Sequence, residues 1–331
     1  MKHPVIIEGF DTVSLYQASL GSGKKYVGQP GHCRFCGCND DRAFKQKAHL
    51  IPEALGNKWL FSRDECDHCN SLFSLYDQAL ADAVGAILTL GATKGKGNRV
   101  RQTGRSQGNA RIRHRRDSLG KRSLSVSGRL PDNDKPIRIE LFTGTMVLET
   151  RLPPTPYRPR HAYKALCKMG LALVPKDELK HFQKLRKWLQ DPADTLEFPV
   201  LPVTITFAMI GNAPQIATAI LLRRRRSNDP RPYMFFMLSI GSHCFLIDLM
   251  PDALDNHIPP VFRPYSELSY QAIINGDDGD EIVIQYKNPA YLNWASPQKR
   301  PQPFEALETY IQRDFQTVEF KLRLRFDEAL I

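Results

Sequence analysis

Two Cys-x-x-Cys pairs, Cys33-Arg34-Phe35-Cys36 and Cys66-Asp67-His68-Cys69, constrain this chain more than any other feature. Each pair presents two sulfurs on a tight turn, and two such knuckles complete the tetrahedral four-thiolate set that a structural Zn2+ prefers. An odd total of seven cysteines suits metal binding in a reducing compartment better than a secreted disulfide framework. Of the remaining three, Cys167 and Cys244 lie in apolar segments and read as small buried hydrophobes. Cys38 is near enough to the first pair to be a substitute ligand. A unit of this size buries little core, so the metal is expected to supply much of its folding free energy.

The 331 residues, 42% of them hydrophobic, suffice for two globular units. Residues 1–32 read as a lead-in strand at Val5-Ile6-Ile7 followed by a loop. Residues 33–91 form the stapled module, with short strands near Ala48 to Ile51 and Trp59 to Phe61. A helix opens at Asn70, where Leu72, Leu75, Tyr76, Ala79, Leu80, Ala83, Val84 and Ile87 recur at three- and four-residue spacing. Residues 92–135 are rich in glycine and basic side chains and read as a linker or arm. Residues 136–331 predict a separate α+β domain of paired strands, with helices beginning at Pro159 and near Leu179 and a short helix over Glu305 to Ile311. No apolar run is long enough to span a bilayer and no secretory leader is visible, so the chain is expected to be soluble and cytoplasmic, with no membrane partner. No feature specifies an oligomeric state.

The net charge of +11 points to an anionic partner, and nearly all of it lies between Lys94 and Arg122. Arg99, Arg101, Arg105, Arg111, Arg113, Arg115 and Arg116 are the candidate phosphate contacts there, opposed only by Asp117. The plain alternative is a solvated connection, which has little use for charge of one sign. A second basic cluster, Arg223-Arg224-Arg225-Arg226, precedes a turn and reads as a solvated hairpin tip or an anion site. The stretch from Cys33 to Leu90 holds six Lys and Arg against eight Asp and Glu, so the stapled module has no electrostatic grip on nucleic acid by itself.

Between the knuckles runs Ala48-His49-Leu50-Ile51-Pro52-Glu53-Ala54-Leu55-Gly56-Asn57, and Asn70 follows the second knuckle directly. A histidine before an aliphatic residue and Ile-Pro, a glycine-containing turn, and Cys-x-x-Cys-Asn opening a helix resemble the HNH endonuclease family, in its zinc-containing four-cysteine branch. The resemblance covers the stapled module and not the rest. It implies a ββα-metal fold in which His49 is the general base and Asn70 a ligand of a catalytic Mg2+ or Mn2+. The middle asparagine that orients the histidine in relatives is missing at Phe61-Ser62-Arg63, and Asn57 is either its replacement or a turn residue after Gly56. Relatives carry an acidic residue or histidine immediately before the base, where this chain has Ala48. Glu53, Asp67, His68 and Asp77 are the substitutes near enough in sequence to supply that ligand.

The chain is therefore expected to be an endonuclease cutting the phosphodiester bonds of nucleic acid, DNA first, with low sequence specificity. A nonspecific cutter ahead of a second domain has the build of an antiphage defence effector. The rivals are a non-catalytic zinc module that binds nucleic acid, which Ala48 favours, and a protein-interaction factor whose zinc unit is only a scaffold.

Overall fold

The computed structural model describes residues 7, 9–17, 23–103, 111–116, 122–127, 137–142, 145–152, 155–207, 217–240, 243–256, 270–275, 281–312 and 318–325. The expected strand at Val5 to Ile7 falls almost wholly outside them, and so does Arg105.

The stapled module is a small three-stranded sheet closed by a helix. β2 (Lys25–Val27) runs parallel to β4 (Leu60–Ser62), and β3 (Ala48–His49) pairs antiparallel with the other edge of β4. Helix α1 (Asp67–Ala83) starts inside the second knuckle, with Cys66 as its N-cap, and α2 (Gly85–Leu90) continues after a break at Val84. The inward face of α1 is Phe73, Tyr76, Ala79, Leu80 and Ala83, the spacing expected of an amphipathic helix. Between β3 and β4 the chain makes a tight turn over Glu53–Leu55, closed by Gly56 at φ 92°, a left-handed conformation that glycine adopts without strain.

The larger unit contains a seven-stranded sheet in the order β1 (Phe10–Gln17), β11 (Thr218–Arg224), β12 (Met234–Ile240), β13 (His243–Leu249), β10 (Val203–Phe207), β15 (Glu281–Leu292) and β14 (Tyr270–Asn275). Helix α3 (Pro159–Leu173) lies on β12 and β13. Gly170 permits the close approach, since a Cβ there would stand 2.9 Å from Leu249 Cδ1 and Phe236 Cβ. Helix α4 (Gln183–Leu189) follows a 3-10 turn over Leu179–Phe182. A four-stranded sheet places β17 (Phe304–Gln312) between β18 (Val318–Leu324) and β8 (Thr145–Arg151), with β7 (Ile137–Phe142) beyond. Two-residue strands β9 (Pro156–Tyr157) and β16 (Arg300–Pro301) form a small clip.

This α+β architecture agrees with expectation, but three local readings change. The segment Glu305 to Ile311 is strand, not helix. It is paired along both edges, with Ala306 opposite Arg151 and Leu307 opposite Leu322, and that pairing overrides the helix preference of Glu, Ala and Leu. The basic segment is not wholly an extended arm, because β5 (Arg111–Arg116) and β6 (Arg122–Ser127) form a hairpin. Ile112 anchors the hairpin at 1% exposure, and Thr103 exchanges backbone hydrogen bonds with it. Finally, the lead-in residues carry β1, which pairs with β11 at the edge of the large sheet.

One buried core runs through both units, with α1 lying along α3. No helix among the described residues is long and apolar enough to cross a membrane.

Candidate metal centre and histidine site

The four knuckle sulfurs converge to within 4.8 Å of one another, with Cys33 Sγ 3.7 Å from Cys69 Sγ and Cys36 Sγ 3.6 Å from Cys66 Sγ. A hydrogen bond from Cys69 lowers the Cys33 thiol to about 4. Burial raises Cys66 to about 12, and Cys69 is driven up by its bond to Cys33 and by burial. Sulfurs this close cannot all ionise without a cation between them, and a divalent metal favours the thiolate at each. The donor set, its spacing and its burial fit structural Zn2+. Backbone Cys66 N–H and Gln190 Nε2 approach Cys33 Sγ and Cys69 Sγ at 3.5 Å, as donors do around a thiolate centre. Cys38 is not in the cluster and lends its carbonyl to Cys33 N–H at 2.8 Å; Cys167 and Cys244 are buried in the core.

The first knuckle is bolted to the larger unit. Buried Arg34 pairs with Asp64 at 2.7 Å and donates from Nη1 to the carbonyls of Leu171 and Val174 at 2.8 and 3.0 Å, capping the C-terminal end of α3. Arg186, on α4, donates to the Phe35 carbonyl at 3.2 Å.

His49 sits on β3 with its ring centroid 4.7 Å from that of Phe61. Its Nδ1 is buried and engages no protein group, and burial lowers its pKa, with Lys168 adding to the effect and Glu53 opposing it. Burial thus favours the neutral imidazole, the form that can accept a proton. Asn57 is fully buried and makes four hydrogen bonds, all to backbone. Its Nδ2 donates to Ile51 O and Leu60 O, and its Oδ1 accepts from Trp59 N–H and Leu60 N–H. These bonds fix the loop between β3 and β4, and none of them reaches the His49 imidazole. Asn70 donates from Nδ2 to Gln46 Oε1 at 3.0 Å, while Asp67 accepts from the backbone of Lys45 and Gln46. These bonds join the approach to β3 with the start of α1.

Lys168 is a member of this site that sequence reasoning missed. It projects from α3 into the module, 1% exposed, and donates to the His49 carbonyl at 3.0 Å. Its ammonium lies 3.5 Å from Glu65 Oε2 and 3.9 Å from Asp77 Oδ2. Burial pushes the Glu65 carboxyl up to about 7, and raises Asp77 as well. The available signal was a pair of lysines, Lys164 and Lys168, four residues apart within the apolar stretch Ala162 to Leu173 of the helix.

Of the substitutes for the ligand missing at Ala48, Asp67 is engaged by the loop backbone, Asp77 by Lys168, and His68 is exposed. Among the described residues the cysteines are the one set of three or more His, Cys, Asp or Glu side chains that converges as metal ligands do.

In the basic segment Arg99 and Arg111 are exposed and Arg113 is half-buried, while the side chains of Arg115 and Arg116 lie outside the described atoms. Arg101 is not a free contact: it is bound to Asp82 and to the Ala81 carbonyl on α1. The second cluster is largely neutralised from within, since Arg223 pairs with Glu178, Arg224 with Asp255 and Arg225 with Asp11. Arg223 and Arg224 therefore serve the fold, while Arg225 and Arg226 are exposed.

A ββα unit with a four-cysteine site that fits Zn2+ and a half-buried strand histidine is the class that this fold and site define. Residues 33–82 match the family model described as HNH endonuclease, and this part of the chain is an HNH domain. No curated protein and no solved structure matches the chain.

Proposed function

We infer that the protein is a metal-dependent nuclease that hydrolyses phosphodiester bonds of nucleic acid, DNA in the first instance, with His49 as general base. The observation that carries this reading is the His49 imidazole: half-buried, with Nδ1 unengaged, its neutral form favoured by burial, and its strand anchored by Lys168 at the His49 carbonyl. Neutral imidazole takes a proton from water during in-line attack on phosphorus. Asn57 and Lys168 hold the strand on which that base is mounted, from the loop side and from α3 respectively.

Among the described residues no second set of His, Cys, Asp or Glu ligands converges, so the catalytic cation of this reading would be held by the Asn70 amide oxygen together with water and phosphate oxygens, as Mg2+ is commonly bound. When bound, such an ion neutralises charge on the phosphoryl and leaving oxygens. The exposed cations Lys94, Lys96, Arg99 and Arg111 supply the phosphate grip that the acidic module lacks, which favours low sequence specificity. A role in antiphage defence is compatible with a nonspecific cutter built into a larger unit.

Incubation of plasmid with the zinc-loaded protein and Mg2+ or Mn2+ tests the reading. Nicking by wild type that disappears in His49→Ala, with DNA binding kept, supports it. Binding without cutting in any divalent metal favours the rival, a non-catalytic zinc module, for which the buried, ligand-free Ala48 is the specific argument.

A further inference from the structure

The three-stranded sheet aligns side chains that are distant in sequence. Tyr26 on β2 and His49 on β3 both stand in register with Phe61 on the central strand β4, so all three side chains share one face of the sheet. Their rings confirm the row: Tyr26 stacks on Phe61 at 5.5 Å, and Phe61 lies 4.7 Å from His49. With neighbouring strands about 4.8 Å apart, the two ends of the row are separated by roughly 10 Å.

The outer end is open. Tyr26 is 39% exposed and is the aromatic member of the large exposed hydrophobics among the described residues. The exposed Arg63 sets its guanidinium 4.5 Å from the Tyr26 ring centroid. Lys24 and Lys25, both exposed, adjoin it, so three cations gather at one edge of a module whose overall charge is negative. The backbone holds this edge in place, with Lys25 N–H donating to Trp59 O at 2.6 Å and Arg63 N–H to Val27 O at 2.8 Å.

We propose that Tyr26 and Arg63 form a stacking platform for an unpaired nucleobase of the substrate strand, at the far end of the row that leads to His49. An aromatic face and a guanidinium plane bind any base by its π-surface, and adjacent lysines attract its phosphate. Bases inside a duplex are stacked on one another and cannot use such a face, so the occupant is single-stranded or splayed out. Tyr26 lies outside residues 33–82 and Arg63 inside them, so the platform joins the HNH domain to the strand this chain adds beside it. The identity of the strand as substrate rests on the nuclease reading above; the binding does not.

The test titrates the full zinc-loaded chain, without added divalent cation, into a labelled single-stranded oligodeoxynucleotide and into its duplex, following anisotropy. Tyr26→Ala should weaken single-strand binding on the order of tenfold and leave duplex binding unchanged. Tyr26→Phe, which keeps the ring, should bind the single strand as wild type does, and Arg63→Ala should fall with Tyr26→Ala. Zinc content of each variant reports its folding. Single-strand affinity unchanged in Tyr26→Ala overturns the platform, as does an equal loss for both probes that Tyr26→Phe fails to restore. Plasmid nicking in the same preparations separates the two readings. Nicking that depends on His49, with Tyr26→Ala binding normally, refutes only the platform. Single-strand binding that depends on Tyr26, in a protein that never cuts, refutes only the nuclease.

Discussion

Replacing Lys168 with methionine should destabilise the HNH domain, and more so as pH rises. Methionine keeps most of the stem volume, so the change isolates the charge. The ammonium stands 3.5 Å from Glu65 and 3.9 Å from Asp77, with side-chain exposures of 1% for Lys168, 0% for Glu65 and 23% for Asp77. At an effective dielectric constant of about 20, each contact carries roughly 4–5 kcal/mol of gross attraction, offset by desolvation of all three groups. Removing one member of such a buried set costs about 3–5 kcal/mol, with Asp77 contributing less because water reaches it.

Burial already holds Glu65 at about 7 with Lys168 in place, and loss of the cation raises it further. A folded-state carboxyl raised above its unfolded value binds the extra proton only when folded. Its contribution to stability is present at low pH and is lost as pH rises from about 4.5 through the folded pKa, at up to about 1.4 kcal/mol per pH unit. The assay is urea-induced zinc release, followed with a chromogenic chelator at pH 6 and pH 8, for wild type, Lys168→Met and Lys168→Met with Glu65→Gln. The single variant should release zinc at lower urea, with the larger deficit at pH 8, and Glu65→Gln should recover much of the deficit and remove its pH dependence. A Lys168→Met curve superimposable on wild type at both pH values would refute the reasoning.

Further outcomes follow from the same geometry. Because burial lowers the His49 pKa, the acidic limb of the kcat/KM profile for plasmid cleavage should lie below the ordinary histidine value of about 6.5; a limb above it contradicts His49 as a base acting from this environment. Asn57→Ala removes four hydrogen bonds to backbone and leaves the buried carbonyl of Ile51 without that donor, so unfolding should show a loss of about 3–5 kcal/mol, and Asn57→Asp, whose carboxylate donates to neither carbonyl, should lose at least as much. A loss under about 1 kcal/mol counts against the loop role. Stripping zinc should loosen the larger unit at one defined place, the C-terminal turn of α3 held by Arg34; hydrogen exchange at Val174 and the residues after it that is indifferent to chelation speaks against that coupling.

What the sequence disclosed was what local spacing encodes. The knuckles, the His-Leu-Ile-Pro strand entry and the apolar period of α1 are read from neighbours in the chain, and the domain they imply is present. Lys168 and Tyr26 escaped because their roles arise from contacts between distant segments. Nothing in Lys25-Tyr26-Val27 announces a strand, and its parallel pairing with β4 alone sets Tyr26 in line with His49. Glu305 to Ile311 was misread for the same reason, since its helix-forming composition is outweighed by partners on both sides. Charge was legible in amount but not in use: Arg101 and Arg223 to Arg225 look alike in sequence to free phosphate contacts and are bound to carboxylates within the fold.

The pairing of β1 with β11 sets an order of events during synthesis. Asp11 meets Arg225 across 214 residues of chain, so at about 5–20 residues per second the first strand waits roughly 10–40 seconds for its partner to be made. All four knuckle cysteines leave the ribosome about 100 residues before Lys168 does. On a translating ribosome the metal can thus close the knuckles while β1 has no neighbour and the histidine strand lacks its anchor from α3. On the nuclease reading proposed above, the base would gain its anchor only in chains translated well past the HNH domain.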